Sequence, residues 1–93
     1  MKLHIYGSIH EFGRYAKFDS FKEDLPALIG KKETLAVPDT AILLQSVGEK
    51  EIALRFFRGI DLFEDIVLKP GEPYQHKHEG NAYGYELNLE LME

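Results

Sequence analysis

Polar and apolar positions alternate over residues 2–10 (KLHIYGSIH). Leu3, Ile5 and Ile9 share one side, with Gly7 between them, and Lys2, His4, Tyr6, Ser8 and His10 share the other. Period two over this length predicts a half-buried strand. Residues 11–17 keep no period and read as a connection. Over residues 18–30 (FDSFKEDLPALIG) the spacing becomes helical, with Phe18, Phe21, Leu25, Leu28 and Ile29 recurring on one face. Ser20 followed by Glu23 matches a capping box, and Gly30 matches a helix stop. Pro26 interrupts this pattern, because inside a helix it removes a hydrogen bond and clashes with the preceding turn, at about 3 kcal/mol. Two forms stay open: one kinked helix, or a shorter one starting near Asp24.

Residues 41–47 (AILLQSV) and 51–59 (EIALRFFRG) are apolar strand patterns separated by Gly48-Glu49-Lys50, which predicts a hairpin. In its second strand Ile52, Leu54 and Phe56 alternate with Ala53, Arg55 and Phe57. Bulk on both sides predicts a central strand, with Leu43 or Leu44, Leu54 and Phe56 in the core. Residues 61–64 suggest a single helical turn, and 65–69 a short strand stopped by Pro70-Gly71. Residues 71–82 (GEPYQHKHEGNA) show no period and read as the one long loop. Residues 83–92 alternate again. Tyr83, Tyr85, Leu87, Leu89 and Leu91 form the core side, and Glu86, Asn88 and Glu90 an acidic outer side. The order β-α-β-β-β-β predicts an α+β fold: a mainly antiparallel sheet of about five strands with one helix packed on one face. A chain of 93 residues supports a single domain, 1–93.

Charge is unevenly placed. Residues 1–60 carry eight acids against nine bases, whereas residues 61–93 carry eight acids against two bases, Lys69 and Lys77. The net charge of −5 therefore resides in the last third. Nucleic-acid binding is disfavoured, because it needs clustered Lys and Arg to displace counterions. The longest wholly apolar run is 41–44, which predicts no membrane span. Cysteine is absent, which excludes thiol nucleophiles, structural zinc fingers and disulfide scaffolds, and points to a cytoplasmic address. No secretory signal pattern is visible.

No catalytic motif stands out. The serines lack a nucleophile-elbow context, and the glycine spacings match no phosphate-binding loop. His76 and His78, two positions apart, would lie on one side of an extended segment and are the candidate metal ligands. Pro70-Gly71 followed by these two histidines resembles the first metal motif of cupins over a short stretch. The Glu required four or five residues after the second His is missing, with Ala82 and Tyr83 in its place, and the family is not assigned. No cofactor is called for. His4 and His10 share a strand face but lie too far apart to hold one ion. Arg55 and Arg58, on a strand with Phe56 and Phe57, suggest an anion site or stacking platform, set against pairing with acids on neighbouring strands.

The candidate partner-binding surface is acidic and aromatic: Glu72, Tyr74, Glu79, Glu86, Asn88 and Glu90. It implies a non-enzymatic module that docks on a protein with a basic surface and inhibits or regulates it, in the manner of inhibitors, immunity proteins, antitoxins and phage-encoded blockers. The alternatives are a metal-binding or metal-dependent protein centred on His76 and His78, and a structural subunit that forms a homodimer through a sheet edge.

Overall fold

The computed structural model describes residues 1–59 and 61–93, and it is a β-sandwich. Its eight strands are β1 (Lys2–Glu11), β2 (Arg14–Lys22), β3 (Lys32–Thr34), β4 (Thr40–Val47), β5 (Ile52–Arg58), β6 (Leu62–Leu68), β7 (Tyr74–Glu79) and β8 (Tyr83–Met92). One sheet has the order β2-β1-β8-β7 and the other β3-β4-β5-β6, and every pair of neighbouring strands is antiparallel. The two inner faces share one core. Leu3, Ile5, Leu87, Leu89 and Leu91 come from the first sheet, and Ile42, Leu44, Ile52, Leu54, Phe56 and Leu68 from the second. Period-two alternation in β1, β4, β5 and β8 thus directs one row of each of these strands into a shared apolar layer.

The α+β expectation is overturned: among the described residues no α-helix packs on either sheet. Residues 11–17 and 18–30 were expected to form a connection and a helix. Instead Phe12 and Gly13 form a two-residue loop between Glu11 and Arg14, which pair with each other, and the chain returns as β2. Both loop residues have positive φ (50° and 79°), the signature of a type I′ turn, whose twist matches that of the strands it joins. Phe18 and Phe21 are three apart, which suits a helix, but in β2 they fall on opposite faces. Phe18 lies opposite Gly7 on the inner face and Phe21 opposite His4 on the outer face. The proline confines helical geometry to one 3-10 turn, Leu25–Leu28, with Pro26 in its first positions and no side-chain cap. Of the expected helical face, only Leu25 is buried.

Two further expectations change. Residues 61–64 form no helical turn, because Leu62 onward pairs with β5 as the start of β6. The expected long loop at 71–82 contains β7, which pairs with β8 from Tyr74 to Glu79. The hairpin at 41–59 and the strand at 83–92 form as expected, and β5 is central between β4 and β6. Each side seam of the sandwich is bridged by polar side chains. Lys22 Nζ lies 2.9 Å from Glu33 between β2 and β3, and the Tyr74 hydroxyl donates to Glu64 at 2.8 Å between β7 and β6.

Candidate functional site

Strand pairing gathers several features at one end of the sandwich. Glu11 lies opposite Tyr83, and Thr40 opposite Arg58, so the turns that follow or precede these residues share that end. Between the sheets is a cleft of about 300 Å3, lined by Pro38, Asp39, Arg58, Gly59 and Leu62 from one sheet and its turns, and by His76, His78, Tyr83 and Tyr85 from the other.

Arg58 is the unusual group. Along β5 the inward row runs Ile52, Leu54, Phe56 and then Arg58, so an apolar row ends in a guanidinium. The Arg58 Nε is buried and has no hydrogen-bond partner among the described residues. An orphaned buried donor costs about 1–3 kcal/mol, more when charged. Arg55 behaves oppositely. It faces outward and grips Asp65 through two hydrogen bonds, at 2.8 and 3.3 Å, while lying 4.1 Å from the Phe63 ring centroid. The hydrogen bond from Arg55 holds the Asp65 carboxyl below its usual range. The two arginines therefore belong to different surfaces and make no joint anion site.

His76 and His78 sit on one face of β7, as an extended segment requires, and both turn inward. His76 packs edge-on against Phe56, with centroids 5.4 Å apart, and its Nε2 is hydrogen bonded to the Tyr85 hydroxyl at 3.1 Å. His78 stacks near Tyr83 and Tyr85, at centroid separations of 4.9 and 5.4 Å. Among the described residues no three His, Asp or Glu side chains converge as a metal set, and the Arg58 charge beside His76 opposes a dication. Burial pushes the Tyr74 hydroxyl up to about 12, with its bond to Glu64 acting in the same direction. Burial also raises Tyr85. These phenols keep their protons at neutral pH.

Burial, then the positive charge of Arg58 and the neighbouring His78, depresses His76 below its ordinary value of 6.5, while Glu64 opposes this shift. As pH falls, the unfolded chain takes up this proton before the folded one does. The associated stability is thus present above about 6.5 and is lost as pH drops through the folded value. Comparing thermal midpoints at pH 7.5 and 5.5 tests this. His76→Asn should lose less stability on acidification than the parent, and an equal loss in both would remove His76 as the cause.

The acidic candidates do not form one surface. Glu86, Asn88 and Glu90 lie on the outer face of β8, a central strand, and Glu79 joins that face from β7. Gln75 Nε2 donates to Glu86 at 2.7 Å and to Asn88 Oδ1 at 3.0 Å, and Asn88 Nδ2 donates to the Tyr6 carbonyl at 3.4 Å. Asn88 is buried beneath these partners. Tyr74 turns inward to Glu64 and Phe56. Glu72 follows β6 at the end of the sandwich away from Glu79, where its amide bonds to the Lys69 carbonyl at 3.0 Å.

The sequence reading missed the β1–β2 hairpin. Three strands of the first sheet, β1, β2 and β8, run nine or ten residues, longer than any in the second, and the end of this hairpin is not covered. Ile9, Glu11, Arg14 and Ala16 line an open concavity there with Phe12 and Tyr15. Phe12 is 79% exposed and Tyr15 64% exposed. The signal for it was Gly13 after a strictly alternating strand.

No known protein family, curated protein or solved structure matches the chain.

Proposed function

We propose that this chain is a non-catalytic module that docks on another protein and regulates it, and that the tip of the β1–β2 hairpin leads the contact. The observation that carries this reading is Phe12. It holds a left-handed backbone at φ 50°, which costs an L-residue roughly 1–2 kcal/mol, and it keeps a large aromatic ring in water. The turn needs this backbone but not an aromatic side chain on it, and glycine at this position would remove both costs. Rigid aromatic side chains on a projecting turn suit a partner pocket. Glu11 and Glu79 stand at the same end, and Glu86 and Glu90 continue along the outer sheet face, so the matching partner surface is basic around an apolar pocket. No helix among the described residues is long and apolar enough to cross a membrane. A cytoplasmic setting, proposed from the absence of cysteine, agrees with this role.

Chemical cross-linking in native lysate identifies the partner, and association kinetics with the purified partner then test the surface. Phe12→Ala with Tyr15→Ala should weaken binding at least tenfold while changing stability by under about 1 kcal/mol, because neither ring is packed. Association should also slow as salt rises, and slow further in a Glu86→Lys, Glu90→Lys variant. Unchanged binding by the tip variant would end this assignment. Self-association through β2 or β6, both sheet edges, would instead appear as a dimer in sedimentation.

A further inference from the structure

The docking surface makes no use of the cleft between the sheets. Its floor carries Arg58, whose Nε–H has lost water and gained no acceptor among the described residues. The two nearby acids do not supply one. Glu64 accepts from the Tyr74 hydroxyl at 2.8 Å, and no ion pair joins Asp39 to Arg58 among the described residues. The Asp39 carbonyl instead accepts from the Gly59 amide at 2.6 Å. A guanidinium held this way presents a geometry that matches carboxylate or phosphate oxygens.

One wall is aromatic and layered. His78 lies 4.9 Å from Tyr83 at an interplanar angle of 33°, and the Tyr83 and Tyr85 rings lie 6.4 Å apart at 11°. Opposite this wall stand Pro38 and Leu62, the latter largely exposed at the rim. The volume of about 300 Å3 is at the small end for ligand sites and admits a single ring with one charged substituent.

We propose that this cleft binds a small oxyanion carried on a planar ring, with Arg58 taking the oxyanion and His78 and Tyr83 stacking on the ring. An acceptor oxygen reaching Arg58 would complete its hydrogen bonding. The ring would extend the existing His78–Tyr83 stack and cover Leu62. Asp39 at the rim would disfavour ligands with a second negative group.

Calorimetric titration with phenyl phosphate, benzoate and inorganic phosphate tests this. One of the two ring compounds should saturate at a one-to-one ratio with a dissociation constant below about 1 mM, and inorganic phosphate should bind at least tenfold more weakly. The stronger of the two ring compounds distinguishes a phosphate from a carboxylate ligand. Arg58→Gln should weaken binding at least tenfold, and Leu62→Trp, on the exposed rim, should block the cleft without entering the core. Leu62→Trp keeps the test valid if Arg58→Gln does not fold. Absence of saturable binding by either ring compound would overturn the proposal. So would inorganic phosphate binding as tightly as the ring compounds, or binding unaffected by Leu62→Trp.

Discussion

Gly7→Ala is expected to destabilise the protein by about 3 kcal/mol, although alanine is the smallest side chain that can be added. Gly7 lies in the middle of β1 between β2 and β8. A Cβ there would run into the carbonyl oxygen of Glu86 on β8 and would lie 3.0 Å from the Phe18 ring on β2. Neither neighbour can retreat easily. The Glu86 carbonyl belongs to a central strand, and the Phe18 ring fills the space over the glycine, an aromatic covering that pins register in sheets. At 0.05–0.15 kcal/mol per residue, a domain of this size has roughly 5–14 kcal/mol in total. The substitution would thus remove a large share. Gly13→Ala separates close approach from backbone strain: nothing lies within 4 Å of its Cβ position, and only its φ of 79° resists the change, at about 1–2 kcal/mol. Urea unfolding of the two variants gives both numbers. A loss under about 1 kcal/mol at Gly7 would show that β1 and β8 can move apart.

The same glycine explains part of what the sequence hid. Phe18 covers Gly7 from β2, so its partner leaves no apolar mark in the β1 pattern, and Phe18 with Phe21 then resembles a helical pair. The turn that brings β2 back carries Phe12 before Gly13, where Asn or Asp is the usual signal. β7 was hidden for a different reason. Its inward row is Tyr74, His76 and His78, and its outward row Gln75, Lys77 and Glu79, so period two is present but is not an apolar–polar alternation. Polar rings face inward there because that end of the sandwich is the cleft rather than the core. The strands that were readable, β1, β4, β5 and β8, have inward rows dominated by Leu, Ile and Phe. The candidate site was accordingly half visible. His76 and His78 stood out by type, whereas Tyr83 and Tyr85 read as core, and the inward turn of Arg58 depends on the β5 register and on a second sheet that the sequence did not reveal.

Phe56→Ala is the test that joins the core to the cleft. Phe56 is fully buried, at 0% exposure, and lies on the inward row of the central strand β5. Removing its ring should cost about 3–5 kcal/mol, the usual range for a buried aromatic in a core that relaxes only partly. Phe57 is the matched control, one residue on and facing outward. Its half-buried ring meets Phe63 at 6.1 Å and Lys32 Nζ at 4.1 Å, contacts worth about 1 kcal/mol each. Phe57→Ala should therefore cost far less. Phe56 also supports the site, since its ring meets the edges of Tyr74 at 5.7 Å and His76 at 5.4 Å. Both of those residues belong to β7, an edge strand that pairs only with β8. Loss of the Phe56 ring removes the surface against which β7 rests. Amide exchange should then accelerate in β7 more than in β1, and ring resonances of His76 should shift even where the variant stays folded. A Phe56→Leu variant, which keeps most of the volume, should recover much of the stability and restore slow exchange in β7. Equal costs for Phe56→Ala and Phe57→Ala would show that the second sheet does not bury β5 on this side, and the sandwich core would need to be redrawn.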